Sequence, residues 1–254
     1  MKLKQFFSYI WQEAMANNNY NIIELLGVDK KSKAIDIGCG DGKLTLDFRD
    51  KLQSRNITGA DGQDGRLSAA TKNGVDEVIK VNLEEKWPLK DKSFDVVISN
   101  QVIEHMVNID NFIKEIYRIL KPGGYCVIST ENLASWHNIF ALILGYQDFS
   151  HHILKERHIG NPFALHYRKK TASWSSKDHG GTDDSQFPHV KILTYRSLIE
   201  AFEINKLVFE SGMGSGYYPL FRSLSRLASK IDPYHSHFIT GKFRKKNKQN
   251  EKKQ

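Results

Sequence analysis

The sequence predicts an α/β protein: an open, mostly parallel sheet with helices on both faces. Three observations predict it. Short apolar runs alternate with helix-patterned stretches from residue 33 to about 130. The first run, Ala34-Ile35-Asp36-Ile37, leads straight into a glycine loop, Gly38-Cys39-Gly40-Asp41-Gly42. The clearest helix, 108–120, places Ile109, Phe112, Ile113, Ile116, Tyr117 and Leu120 at i, i+3, i+4, i+7, i+8 and i+11.

The elements follow in order. Residues 6–26 read as a helix on Phe6, Ile10, Ile22, Leu25 and Leu26, with Gly27 as its stop. The asparagines at 17, 18 and 19 weaken its middle. Strands are expected at 34–37, 56–60, 77–81, 94–99 and 125–129, and helices at 43–51, 65–72 and 108–120. Asn108 caps the last of these helices, and Lys121-Pro122-Gly123-Gly124 ends it. The alternation then breaks, and 131–191 reads as an insertion or lid. It resumes with a helix at 195–203, a strand at 206–211, a helix at 220–231 and a strand at 237–243. One domain over 1–245 is expected, opening with a helical region at 1–27 and followed by a basic disordered tail at 246–254.

Composition narrows the class. The chain has 254 residues, ordinary apolar content and a net charge of +8. Residues 242–254 hold seven Lys/Arg against one Glu, so the rest is nearly neutral. Such a tail invites an anionic partner, but Phe243 is its one residue able to stack on a base, which argues against nucleic acid. Two cysteines exclude a disulfide scaffold and fit a reducing compartment. No apolar run reaches the roughly 18 residues of a membrane span, and the first residues lack a signal-peptide pattern. The expected location is cytoplasmic, with peripheral contact at the inner face of a membrane.

In such sheets the ligand sits at the carboxyl ends of the strands. The loop after strand one is G-x-G-x-G. Position 43 is Lys rather than the Gly of a dinucleotide fingerprint, and Leu44 replaces the Ser/Thr of a P-loop. Asp36 would repel a pyrophosphate and suits a ligand with a cationic end. Asp61, followed by Gly62, ends strand two, where a carboxylate matches a ribose diol. Asn82 and Leu83 after strand three offer an amide edge and an apolar wall, as a purine needs. Asn100 and Gln101 end strand four.

DIGCGDG, the acid after strand two, FDVVISNQVIEH and EIYRILKPGGYCVIST resemble the class I S-adenosylmethionine-dependent methyltransferases, strongly over 20–130 and by pattern over 194–245. The resemblance implies a Rossmann-like seven-stranded mostly parallel sheet with its last strand antiparallel. It implies S-adenosylmethionine as cofactor. Asp36 and the loop Gly38, Cys39, Gly40, Asp41 and Gly42 would hold the methionine part, Asp61 with Gly62 the ribose, and Asn82 and Leu83 the adenine; Asn100 and Gln101 would border the cofactor. Cys39 reads as a small filler and Cys126 as core.

Methyl transfer to a hydroxyl needs a general base. Glu104 and His105 are the candidates, in a stretch similar to the ubiquinone-pathway O-methyltransferases. Some of that group hold a metal on Glu, Glu and His at this spacing. The first position here is Gln101, a poor ligand for a hard cation, so no metal is expected. The DNA amino-methyltransferase segment and a Pro-Cys nucleophile are both missing. The expected reaction is O-methylation of a small-molecule, lipid-linked or glycan acceptor. RNA or protein methylation, and a non-catalytic cofactor-binding accessory role, stay open as alternatives.

Trp136, His137 and His189 are candidate acceptor contacts. The apolar stretch 133–146 is expected to form a lid helix packed on the domain, or to line a greasy pocket or rest in a membrane interface. Histidines at 151, 152, 158, 166, 179 and 189 show no zinc-ligand spacing with cysteine, and a substrate-covering loop is expected, flexible at 179–184. Residues 220–231 read as a basic amphipathic helix. Leu220, Leu224, Leu227, Ala228 and Ile231 form one face and Arg222, Arg226 and Lys230 the other, which reads as a membrane or phosphate contact or as a surface helix packed on the core with its other face in water.

Overall fold

The computed structural model describes residues 3–154, 159–164 and 188–247. His158, His166, His179 and the segment 179–184 lie outside the described residues, as does the tail beyond 247.

The elements run α1 (Leu3–Leu25), β1 (Ala34–Ile37), α2 (Lys43–Leu52), β2 (Ile57–Asp61), α3 (Asp64–Asn73), β3 (Glu77–Lys80), β4 (Phe94–Asn100), α4 (Ile109–Ile119), β5 (Leu120–Glu131), α5 (Trp136–Ile143), α6 (Tyr195–Ile204), β6 (Leu207–Ser215), α7 (Arg222–Ile231) and β7 (Phe238–Lys245). Their sheet order is β3-β2-β1-β4-β5-β7-β6, with β7 antiparallel to both neighbours. This is the Rossmann-like, seven-stranded arrangement. The strand order reverses between β1 and β4, which fixes where a ligand belongs.

Side-chain alternation sorts the core. Ile35, Ile37 and Val97 face α4 and α6, joining Phe112, Ile116, Leu198 and Phe202. Ala34, Val96 and Ile98 face α1 and α2, joining Ile22, Leu26, Phe48 and Leu52. Asn108 caps α4, accepting from the Asn111 N–H. β5 begins earlier than its β-rich run implies. Its pairing jumps from Phe94 with Leu120 to Val96 with Tyr125, so 121–124 bulges from a continuous strand instead of separating helix from strand.

Several expectations are corrected. The asparagines at 17–19 do not weaken α1; Asn18 is wholly buried and hydrogen-bonded to the sheet. The basic block from 242 starts inside the sheet, within the expected domain: Lys242, Arg244 and Lys245 belong to β7. Lys242 donates to the Leu25 carbonyl, Arg244 pairs with Glu210, and Lys245 donates to the Tyr117 and Leu120 carbonyls. Phe243 stacks on Phe202 in the core and cannot meet a base.

The two apolar helices face outward. In α5 the buried residues are Asn138 and Ala141, while Phe140, Leu142 and Ile143 are exposed. Asn138 is drawn inward by hydrogen bonds to the Asn132 carbonyl, Ser150 and the Phe149 N–H. In α7 the buried residues are Ser225 and Ser229, and Leu224, Leu227 and Ile231 point to water. The Ser225 hydroxyl accepts from the Tyr217 N–H, so the polar side holds the helix. Leaving three such side chains in water forgoes about 1.5–3 kcal/mol each.

Candidate active site

The glycine loop connects the carboxyl end of β1 to α2. Gly38, Gly40 and Gly42 all have positive φ, at 79°, 56° and 78°. Two of these glycines also meet close neighbours. A Cβ on Gly38 would lie 2.3 Å from Val102 Cγ2, and one on Gly42 would lie 2.5 Å from Val75 Cγ2. At Gly40 nothing lies within 4 Å of a built Cβ, so this backbone faces open space. An open cradle between two packed turns suits close approach of a ligand.

Two acids border the cradle. Asp36 is 3% exposed and accepts from Thr45 Oγ1 at 2.6 Å. Burial pushes its carboxyl up to about 7, against the Thr45 hydrogen bond, with Asp61 adding repulsion. Asp61 accepts from the Gly40 N–H at 3.2 Å and the Gln63 N–H at 3.0 Å, and Arg66 stands 3.8 Å away. A carboxylate has about four acceptor positions, so Asp61 keeps capacity for a diol. These residues fit a ligand with a cationic end and a ribose.

The other predicted cofactor residues are placed as follows. The Cys39 side chain packs with Leu67, Ala70 and Val75, so its backbone alone faces the loop. Burial raises the Cys39 and Cys126 thiols well above the ordinary range, which suits filler and core. Asp41 pairs with Lys43 at 2.8 Å. Gly62 lies beside the Val81 carbonyl. Asn82 is exposed and bonded within its own turn, to Glu84 and Glu85. Leu83 is half-buried against the core. Asn100 exchanges amide hydrogen bonds with Asn18 and Asn19 of α1, and Gln101, at φ 55°, donates to Ser129 Oγ.

A second constellation follows β4. The 3-10 turn Ile103–His105 carries Glu104, which is wholly buried and accepts from Thr130 Oγ1 at 2.8 Å. Among the described residues its other oxygen has no hydrogen-bond partner. Burial pushes its carboxyl up to about 7, against the charge of His189. The Glu104 carbonyl accepts from the Val190 and Lys191 N–H groups, and so draws in the distant His189. The His105 and His189 rings meet edge to face at 4.8 Å, and His152 stacks on His189 at 4.3 Å. Ligand atoms of Glu104, His105 and His189 all lie within 4.8 Å of one another.

Glu131, at the end of β5, completes this cluster and carries no motif in the sequence. Its Oε2 lies 3.4 Å from His189 Nδ1, and its Oε1 lies 3.8 Å from His237 Nε2. Burial opposes its ionisation, yet the two imidazoles hold it well below the usual carboxylate range. Burial likewise opposes the His189 cation, but Glu131, then Glu104, hold it at about 9. His137 reaches this network through His237, nitrogen to nitrogen at 2.9 Å. Trp136 instead stacks on His235 and donates to Tyr217.

The fold is that of the Rossmann-like methyltransferases. Residues 35–128 match the family described as "Methyltransferase domain". The chain carries a domain of the class I S-adenosylmethionine-dependent methyltransferases, a class that implies S-adenosylmethionine as cofactor.

Among relatives, the chain is 34% identical over 132 residues to a ubiquinone biosynthesis O-methyltransferase of Rickettsia prowazekii, covering 50% of this chain and 48% of that protein. It is 31% identical over 122 residues to the sterol 4-C-methyltransferase strm-1 of Caenorhabditis elegans, covering 46% of this chain and 36% of that one. The chain thus spans about half the length of the curated relatives it matches. An S-adenosylmethionine-dependent methyltransferase from Mesorhizobium loti superposes with a TM-score of 0.58 at 16% identity, over 92% of this chain and 99% of that one. The [4+2]-cyclase SpnF superposes with a TM-score of 0.57 at 17% identity, over 93% and 84%. One fold thus carries different reactions, and the site must decide between them. No described helix is long and apolar enough to cross a membrane.

Proposed function

We propose that this protein transfers the methyl group of S-adenosylmethionine to a hydroxyl oxygen of a small-molecule or lipid-linked acceptor. The observation that carries the reading is the cluster of buried Glu104 with half-buried His105 and His189. Val102, two residues before Glu104, packs on Gly38, so the chain runs from the cradle's wall directly into this turn. The names of the Rickettsia relatives support oxygen as the acceptor atom. The exposed apolar side chains of α5, on the chain just after Glu131, support a greasy acceptor.

When bound, S-adenosylmethionine supplies a methyl group on an already activated sulfonium. This chain's tasks are to hold it, to orient the acceptor and to take the hydroxyl proton. The Gly38–Gly42 loop, Asp36 and Asp61 are the holding residues, with Gly62, Asn82 and Leu83 toward the adenine. His105 Nδ1 faces the Pro188 carbonyl at 3.3 Å, and a carbonyl only accepts. The Nδ1 atom therefore carries the ring proton, and Nε2 is the basic nitrogen. The acceptor proton passes to His105, with the carboxyl of buried Glu104 within 4.8 Å of it. His189, held as a cation between Glu104 and Glu131, fixes the geometry.

The test is calorimetry with S-adenosylmethionine, followed by label transfer to hydroxylated aromatic lipids and to matched amines. Binding, with label recovered as an ether, is expected. No binding, or label only on amines, overturns the reading.

A further inference from the structure

Helix α7 is amphipathic in reverse. Its serines, Ser225 and Ser229, face the domain, and Leu224, Leu227 and Ile231 are 58%, 56% and 75% exposed. These three stand at i, i+3 and i+7 and form one outward row. Phe221, at the start of the helix, is also exposed. Arg222, Arg226 and Lys230, at i, i+4 and i+8, form a second exposed row along one flank. The helix, RSLSRLASKI, contains no acid. Asp232, just past its end, is taken up by Tyr217 and His235.

The helix is anchored by its polar side. The Ser225 hydroxyl accepts from the Tyr217 N–H, and Glu13 accepts from the Arg222 N–H. Nothing in this anchoring uses the leucines. Tyr217 also joins α7 to α5, accepting from Trp136 Nε1 at 2.6 Å while donating to Asp232. Helix α5 bears no charge and exposes Phe140 and Ile143 beside Trp136. Tyr217 thus links the start of α5 to the end of α7, and the leucine row of α7 is flanked by three cations.

We propose that α7 docks the protein on anionic phospholipid bilayers. Its leucine row enters the boundary between headgroups and acyl chains, and its cation row meets lipid phosphates. The charge pattern selects this occupant. A second copy seated on the same face would bring six cations together with no acid on either helix. The inference rests on the surface alone and holds for any acceptor.

Flotation of the full chain decides it, with vesicles of phosphatidylcholine alone and of phosphatidylcholine mixed with phosphatidylglycerol. Wild type is expected to float with the anionic vesicles and to be released by salt. The triple change Leu224→Ser, Leu227→Ser and Ile231→Ser is expected to abolish flotation at an unchanged melting midpoint. Arg226→Gln with Lys230→Gln is expected to weaken binding about 25-fold, about fivefold per cation. The inference is overturned if wild type floats on neither vesicle. It is also overturned if the triple variant floats like wild type, which would assign attachment to the basic residues past β7. A dimer by light scattering that the triple change dissolves, without flotation, would assign the face to a second copy.

Discussion

Replacing Asp36 by Asn removes a charge that the fold holds against its preference. The carboxyl rises from 3.8 to about 7 in the folded chain, chiefly through burial. At about 1.4 kcal/mol per pH unit, the ionised form is penalised by about 4 kcal/mol. The sign follows from linkage: the folded state binds the proton more tightly, so stability falls as pH rises from about 4 to about 7. Above pH 7 the whole penalty is present. Asn keeps an acceptor for Thr45 Oγ1 and carries no charge. Relaxation around the site reduces the gain, and half of it, about 2 kcal/mol, moves the midpoint of a chain this long by about 4–8 °C. Thermal melts of the cofactor-free protein at pH 5 and pH 8 check this. The variant should exceed wild type by less than half as much at pH 5 as at pH 8, and bind S-adenosylmethionine at least tenfold more weakly at pH 8. Equal melts at both pH values, or unchanged affinity, would refute the view of Asp36 as a strained charge reserved for a cationic ligand.

Four further predictions bear on the site. Glu104→Gln should lower the methyl-transfer rate by about 10²–10⁴ without changing the KM for S-adenosylmethionine. In wild type the rate should rise with pH through about 7, where Glu104 loses its proton, and steady-state profiles should show that limb missing in the variant. Gly40→Ala should cost only about 1–2 kcal/mol in urea melts, because φ alone is strained, yet abolish cofactor binding by filling the cradle. Gly42→Ala should cost more, because its new methyl also collides with Val75. His189→Phe should remove a loss of stability between pH 6.5 and about 9, since the raised histidine stabilises the fold below 6.5 and ceases to as it deprotonates; melts across that window would show it.

Much of the cofactor side was legible because it is local. The strand, loop and acid of Ala34–Ile37 and its glycines lie within nine residues, and β2 ends in its acid where periodicity places it. The proposed catalytic cluster was legible only in half. Glu104 and His105 are adjacent in sequence, but their partner Glu131 is 27 positions on and His189 lies farther still. What joins them is the Glu104 carbonyl holding the 190–191 backbone, a contact with no spacing signature. Asn18 was misread for a related reason. An asparagine run lowers helix propensity, and propensity yields when burial supplies partners. The orientation of the two apolar helices was left open because amphipathicity names two faces without saying which is inward. In α7 the Ser225 hydroxyl found a backbone donor, and that settled the choice.

The Asn18 side chain has a consequence for how the protein is made. Its Oδ1 accepts from Ser129 Oγ at 2.6 Å and from Thr240 Oγ1 at 3.3 Å, so one oxygen ties helix α1 to β5 and β7. Synthesis runs from the first of these elements to the last. A nascent chain can therefore build the glycine cradle and pack α1 on the sheet through Ile22, Leu26 and the Asn18–Asn100 hydrogen bond before Thr240 is made. The seventh strand then adds the last of the bonds that Asn18 holds.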